Sequence, residues 1–438
     1  MPPPSAGGWD EGLSRSVLLT GAAGHCTLGR STVKWTKWVV PHDPTAHLCH
    51  TLRIAEVARP PTRGLEGVVA ASTAISLVQD DRLIYRGYSI DDLARNAEYE
   101  EVDYLLLNGD LPDRAQLRDF RAELVRHRAL SPFVRDLLAD MSERATAMDV
   151  LRTASSELSA EDPEQGDNSH EAEYRKSIRF TAKLPTMLAT YIRRRRGEQP
   201  IPQDPSLGHA ANFAHMTWGD KAHPRAAEIM NAAFILQAEH GTNTSTFTAR
   251  VVAGTEADMH AAVAAAFGAL KGPLHGGATD GTIRMLDEIG SPEHVETFVD
   301  KAIERKYKFS GFGHRVYLTE DPRAKHLRRF ASELARDWKG PRYFDIQEAL
   351  VKAIAERRSR MSPGAAAKVN VVNVDYYAAT TYTFLGIPAD LGTSIFALGR
   401  IAGWCAHIME QHGDNRLIRP ESEYTGPTGK TWVPIAER

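Results

Sequence analysis

The sequence predicts an all-α protein, and three observations lead there. From Ile90 onward, apolar residues recur three and four positions apart, the spacing that lines one face of a helix. Strand-favouring patterns are confined to Val68–Val78 and Leu83–Tyr85, either side of a Gln79-Asp80-Asp81 turn. Cap and stop residues punctuate the remainder at helix-length intervals. At 438 residues the chain can bury a large core, and length alone suggests two or three domains.

A hydrophobic fraction of 42% and a charged fraction of 25% are those of an ordinary globular protein. A net charge of −3, with no long basic face, argues against nucleic acid as a partner. The sharpest charge run, Arg193–Arg196, reads as a solvated helix end. Cys26, Cys49 and Cys405 are too scattered for a disulfide framework and lack zinc-site spacing, so a reducing, cytoplasmic compartment fits best. The most apolar runs, Val68–Val78 and His260–Leu270, are too short or too rich in Ala and Ser to span a membrane, and no secretory signal is evident.

Residues 1–60 stand apart: they open Pro-Pro-Pro, hold Trp35 and Trp38, and sustain neither helical nor strand periodicity. They read as a disordered or accessory arm. Alternatively they are a translated leader before a true start near Val57, which would need a non-AUG codon because no Met lies between Met1 and Met141. Helices then begin at Ile90-Asp91-Asp92 and over Glu101–Asn108, followed by a long one through Leu117, Phe120, Leu124 and His127. Glu157–Ser169 reads as an acidic surface loop, and the next helix, Glu171–Arg194, as interrupted at Pro185. Ile229, Ala233, Leu236 and His240 fall on one face of one helix, with Gly241 as its stop.

Thr255 caps an Ala-rich run, Glu256–Leu270, which Lys271-Gly272-Pro273 ends. His275 follows, just before another helical pattern through Ile283, Leu286 and Ile289. At a helix N-terminus the imidazolium is disfavoured, and a neutral histidine can donate a hydrogen bond to a developing oxyanion; a space-filling turn histidine is the other reading. Ser291-Pro292-Glu293 starts the next helix, Asp321-Pro322 another, and Asp345 one more through Ile346, Leu350 and Ile354. Val369–Val374 is a short extended segment ending at Asp375. In the last long helix Leu391, Ile395, Leu398, Ala402, Cys405 and Met409 form one stripe, with Arg400 on the opposite side near Gly403 and His407. No internal repeat is present.

His240, His275, His314, Asp375 and the pair Arg323 and Arg400 sit in turns or near element ends. His314 lies in the Gly-rich loop Gly311-Phe312-Gly313-His314-Arg315-Val316-Tyr317, whose backbone can touch a ligand. Asp375 ends an apolar run, where desolvation raises a carboxyl pKa and makes a better base; an N-cap for the next helix is equally available from local sequence.

Three motifs occur in order: Gly272-Pro-Leu-His-Gly-Gly-Ala278; Gly311–Tyr317 followed by Asp321-Pro-Arg-Ala324; and Asn373-Val-Asp375. Together with Arg63-Gly-Leu-Glu-Gly67, Tyr85-Arg-Gly-Tyr88, Tyr104–Leu107, Ser245–Arg250 and Asn415–Pro420, they resemble the citrate synthase family from about Arg63 to Pro427. The resemblance implies a two-domain helical homodimer with its site in the interdomain cleft: 61–275 with 381–438 as the large domain, 276–380 as the small one, and 1–60 as an added arm. It implies acetyl-CoA and oxaloacetate as substrates, no metal and no tightly bound cofactor. Asp375 would take a methyl proton, His275 would donate to the thioester oxygen, and His314 would polarise the oxaloacetate carbonyl. His240, Arg323 and Arg400 would bind oxaloacetate, joined by Arg419 from the neighbouring subunit, and Gly311, Phe312 and Gly313 would offer backbone to CoA. The chain departs from the family pattern at Thr279-Asp280, Leu318 and Ala378-Ala379.

A 2-methylcitrate synthase acting on propionyl-CoA would use the same machinery, since one methylene is worth only about 1–3 kcal/mol. A metal-dependent hydrolase lacks the necessary helical His spacing, and a non-catalytic helical binding protein would not need the His–His–Asp set. Gly426–Thr431 only superficially resembles a phosphate loop.

Overall fold

The computed structural model describes residues 26–28, 31–33 and, with interruptions at 66, 80, 142–144, 277, 315, 318–319 and 362–371, residues 63–438. The sequence readings on Trp35, Trp38, Cys49, Asp80, Gly277, Arg315, Leu318 and residues 369–371 lie outside them. Contacts divide the chain into Met1–Val68 and Val69–Arg438. In the first unit β1 (Cys26–Leu28) and β2 (Ser31–Val33) pair antiparallel, Thr27 opposite Thr32, and Arg63–Leu65 forms a 3-10 turn.

The second unit opens with a three-stranded antiparallel meander, β3 (Ser76–Gln79), β4 (Arg82–Tyr85) and β5 (Tyr88–Ser89), with Val78 opposite Leu83 and Ile84 opposite Ser89. The strand-favouring stretch before Ser76 is irregular instead. Its N–H groups find side chains, Ala74 donating to Glu410 Oε1 at 2.8 Å and Ile75 to Thr73 Oγ1 at 3.1 Å.

Helices follow: α1 (Ile90–Asn96), α2 (Tyr99–Asn108), α3 (Arg114–His127), α4 (Pro132–Asp140), α5 (Ala147–Glu161), α6 (His170–Arg195), α7 (His209–Trp218) and α8 (Ala226–Gln237). Next come α9 (Thr244–Ala253), α10 (Met259–Leu270), α11 (Ala278–Ile289), α12 (Val295–Glu304), α13 (Ala324–Leu334), α14 (Tyr343–Met361), α15 (Val374–Phe384) and α16 (Gly392–Gly413). The all-α class holds. Side chains of Ser89, Asp113, Ser131, Thr146, Ser169, Asn243, Asp258 and Asn373 cap eight of these N-termini.

Several boundaries differ from expectation. The α5 helix runs to Glu161, so only the second half of the acidic stretch Glu157–Ser169 is loop. The α6 helix passes through Pro185 without a break, because the ring is buried in the core and only one backbone bond is forfeited. The cap of α10 is Asp258, whose carboxylate accepts the Ala261 N–H at 3.1 Å, rather than Thr255. The α8 helix stops at Gln237, short of His240, since Arg400 Nε takes the Gln237 carbonyl at 2.7 Å and the Gly403 N–H takes that of Ala238 at 3.1 Å.

Helix α16 is the hub, packing on α2, α6, α8, α9 and α10, while α11–α15 pack chiefly on one another, α13 against α15 foremost. Both stripes of α16 are buried, the apolar one through Leu391, Ile395 and Cys405 and the polar one through Arg400 and His407. The turn 237–241 rests on α16 where glycine removes the side chain: a Cβ on Gly403 would lie 2.3 Å from the Ala238 carbonyl. Tyr85, fully buried at the end of β4, clamps the same turn, donating to Glu239 O at 2.8 Å and accepting the Glu239 N–H at 3.2 Å. Tyr85→Phe keeps the ring but strands those groups, so it should cost about 1–3 kcal/mol in urea unfolding. An unchanged unfolding midpoint would remove the clamp from the account.

Candidate active site

Arg400 is 1% exposed, and only its Nε is bonded, to Gln237 O; Nη1 and Nη2 are buried without a hydrogen-bond partner. Its guanidinium lies over the Phe396 ring, 4.6 Å from the centroid. Burial lowers its pKa to about 10, against the pull of the Glu239 carboxylate, so it stays charged at neutral pH. Two charged donors with no acceptor among the described residues mark a place for an anion.

Arg323, at the start of α13, is buried too but already partnered. Its Nε and Nη2 fork onto the fully buried Asp321 at 3.0 and 2.8 Å. Burial opposes its charge, yet Asp321 more than offsets this and leaves the pKa raised. The sequence assigned carboxylate binding to both arginines equally; the structure leaves the open fork on Arg400, because Asp321 occupies that of Arg323.

His314 follows Gly311 and Gly313 in a loop that makes one antiparallel bridge to the residue pair before α15, Phe312 opposite Val372. The Asn373 N–H donates to Gly311 O at 3.0 Å and Asn373 Nδ2 to Gly313 O at 3.3 Å. Gly311 is needed for this approach, since a Cβ there would meet Tyr376 at 2.6 Å. The bridge sets Asp375 two residues from the Asn373 that grips the residue next to His314. The Gly311 and Gly313 carbonyls each accept one bond from Asn373, and the Phe312 N–H bonds Phe309 O at 3.3 Å.

The N–H groups of Val316 and Tyr317 donate to His314 Nδ1 at 3.1 and 3.0 Å. A backbone donor cannot reverse, so Nδ1 is the acceptor and the neutral ring carries its proton on Nε2. Burial, helped by Arg323, lowers the His314 pKa to about 4. Its ring stacks on Tyr317 at 4.4 Å and meets His240 at 5.2 Å, while His240 Nε2 is 3.0 Å from the Tyr317 hydroxyl. Burial, then Arg323 and His314, hold His240 neutral.

His275 occupies the turn between α10 and α11, as expected, but the helix N-terminus that sets its chemistry is that of α9. The Ser245 N–H donates to His275 Nε2 at 3.2 Å, with Ser245 Oγ at 2.9 Å. The proton therefore sits on Nδ1, the opposite tautomer to His314. Burial and Arg400 lower its pKa to about 4. Trp404 Nε1, on α16, donates to the same Ser245 Oγ at 3.1 Å, and Thr393 Oγ1 to Gly276 O at 2.5 Å, which fastens the His275 turn to the helix carrying Arg400.

Asp375 is buried in the first turn of α15, where Asn373, not Asp375, is the N-cap, and its Oδ1 has no hydrogen-bond partner among the described residues. Burial raises its pKa to about 7; Arg323 and Arg400 pull it down and Asp321 pushes it up. The two guanidinium fields connect the set: Arg400 acts on His240, His275 and Asp375, and Arg323 on His240, His314 and Asp375. Arg419 is not among them. It is exposed in the irregular segment after α16, and among the described residues no hydrogen bond joins it to these groups. Sequence reasoning gave no role to Ser245, Tyr317, Asp321 or Glu239; the first three fell within its motifs, Asp321 being read as a helix cap, and Glu239 carried no signal. Among the described residues no group of three or more His, Cys, Asp or Glu is placed to hold a metal.

Residues 64–421 match the model of the citrate synthase C-terminal domain. The chain belongs to the citrate synthase family. It is 42% identical over 378 residues to citrate synthase 2 of Bacillus subtilis, covering 86% of this chain and 99% of that one. It is 40% identical over 366 residues to 2-methylcitrate synthase of Mycobacterium tuberculosis, covering 83% and 90%. Among solved structures, citrate synthase from Thermotoga maritima superposes with a TM-score of 0.76 at 37% identity, covering 86% of this chain and 99% of that one. Citrate synthase from Thermoplasma acidophilum, in ternary complex with carboxymethyl coenzyme A and oxaloacetate, superposes at 0.79 with 31% identity, covering 86% and 98%. Two departures from the family pattern have structural places: Thr279 packs where a Cβ on Gly392 would stand 2.3 Å away, and Ala378-Ala379 are buried in α15.

The hydrogen bonds make a prediction for this citrate synthase-family site. Nitrogen-15 spectra at pH 6 should show His314 as the Nε2–H tautomer and His275 as the Nδ1–H tautomer, both neutral. A carboxyl titrating near 7 should vanish in Asp375→Asn. Matching tautomers, or a protonated ring at that pH, would discard the assignment.

Proposed function

We propose that this enzyme condenses acetyl-CoA with oxaloacetate and water to give citrate and CoA, with each role on the residue whose chemistry suits it. The observation that carries this division of labour is the pair of opposite, neutral imidazole tautomers together with a buried carboxyl whose Oδ1 has no hydrogen-bond partner among the described residues. Oxaloacetate, a dianion, would take the open fork of Arg400, with Arg323 and His240 beside it. His314 Nε2–H would then donate to its keto oxygen and make the carbonyl carbon electrophilic. Asp375 would remove a methyl proton from acetyl-CoA while His275 Nδ1–H donates to the thioester oxygen, so that negative charge develops against a fixed donor. Attack of the enol or enolate on the polarised carbonyl forms citryl-CoA, which water hydrolyses. Gly311, Phe312 and Gly313 would border the CoA chain.

A thioester α-proton is weakly acidic, so base, donor and electrophile must be assembled together and shielded from water. The packing of α11–α15 on one another supports a small domain, 276–380, that closes over a large one, 61–275 with 381–438. The exposure of Arg419 supports its use by a second subunit of a homodimer. Cysteine usage supports a cytoplasmic setting.

Thiol release with oxaloacetate and acetyl-CoA, in EDTA, tests the reaction, and replacing acetyl-CoA by propionyl-CoA tests the 2-methylcitrate alternative. Asp375→Ala and His275→Ala should each lower kcat by about 10²–10⁴-fold; near-normal turnover in either would discard its role. In the wild type, kcat/KM for acetyl-CoA should fall as pH drops through about 7, because Asp375 must be ionised to act and its pKa is raised there. A profile flat from pH 8 to 5 would contradict this. Mixing Asp375→Ala with Arg419→Ala subunits should restore about a quarter of wild-type turnover, since half of reassorted dimers are mixed and each has one complete site. No recovery would mean that Arg419 does not serve a neighbouring subunit.

A further inference from the structure

The two buried arginines have unlike counter-charges. Asp321 meets Arg323 directly and fills its fork. Among the described residues Arg400 has no carboxylate in contact, yet a guanidinium at 1% exposure needs one nearby. That charge is Glu239, fully buried in the turn that supplies Gln237 O to Arg400 and ends in His240.

Glu239 is held off the guanidinium by its own partners. Oε1 accepts from Ser76 Oγ at 2.9 Å and lies 3.1 Å from His407 Nε2, seven residues beyond Arg400 on the same helix. His407 Nδ1 is 2.9 Å from Arg250 Nη1, which donates to Glu410 at 2.6 Å; Glu410 in turn accepts the Ala74 N–H. Oε2 has no hydrogen-bond partner and sits where a Cβ on Gly403 would be 2.3 Å away. The backbone of Glu239 is fixed by the Tyr85 hydroxyl. A carboxylate anchored at the main chain and at Oε1 cannot swing across and close the Arg400 fork as Asp321 closes that of Arg323.

We propose that Glu239 is the positioning residue for Arg400: an anchored buried carboxylate that balances the guanidinium charge while leaving Nη1 and Nη2 open for a carboxylate of the incoming 2-oxo dianion. The proposal rests on the reading of Arg400 as a substrate-binding group. Without the Glu239 charge, Arg400 loses the carboxylate that acts on it most strongly, and the guanidinium is no longer held balanced with its fork open.

The test is steady-state kinetics on the full chain. Glu239→Gln, close in shape but uncharged, should raise KM for oxaloacetate on the order of tenfold or more, with kcat within about threefold and KM for acetyl-CoA unchanged. Glu239→Asp should recover most of the loss. Ser76→Ala removes one anchor from a half-buried position and should raise the same KM several-fold; it decides the matter where Glu239→Gln does not fold. An unchanged or lower oxaloacetate KM overturns the proposal. So does an equal loss in kcat and both KM values with a lower unfolding midpoint, which is what a merely structural role would produce. Arg400→Ala separates the layers: if it leaves oxaloacetate KM unchanged, the substrate-binding reading fails and the positioning role falls with it. If it raises KM while Glu239→Gln does not, only the positioning role fails.

Discussion

The site depends on a buried guanidinium that the protein leaves half unsatisfied. Arg400 bonds a main-chain carbonyl through Nε and keeps two buried charged donors without a partner among the described residues. Such a group is costly to bury, and the surrounding structure accommodates it by balancing charge at a distance instead of closing the fork. The constraint reaches outward: the turn 237–241 must lie flat on α16, glycine must stand at 403, and Tyr85 must come from the meander to hold the turn down. Strand, turn and central helix thus converge on one cation.

The same field governs the titrating groups. Burial, helped by the two arginines, keeps the three imidazoles neutral, so each ring carries one proton that it can donate. Backbone N–H groups then select the donating nitrogen. At His314 they come from the following two residues; at His275 they come from the N-terminus of a helix thirty positions upstream. Asp375 feels both cations, yet burial dominates and leaves it poised near neutrality. Neutral donors and a base of raised pKa are the combination that a weak carbon acid requires.

Most of the fold was legible in sequence because helices announce themselves locally. The helix start at Ile90, the Ser291-Pro292 turn and the apolar stripe of α16 each rest on residues close together in sequence. Errors gathered where a distant group overrode a local signal. Pro185 does not break α6 because its neighbours in the core hold the helix together, and α8 ends early because Arg400 and Gly403 take its last carbonyls. Likewise the polar side of α16, which faces solvent in an isolated amphipathic helix, is here the inner wall of the site.

By itself the sequence determined the helical class, the order of the elements and the short motifs that hold His275, His314 and Asp375, since each rests on spacing and turn chemistry over a few residues. Tertiary structure alone decided which arginine keeps an open fork, which nitrogen of each imidazole carries the proton, and that Glu239 stands behind Arg400. The Glu239 arrangement joins groups more than a hundred residues apart, Tyr85 with Glu239 and Glu239 with His407, and the His275 proton is set by Ser245 thirty residues upstream. Local pattern has no means of registering them, because electrostatic and hydrogen-bond partners are set by distance in space, which only the packed chain defines.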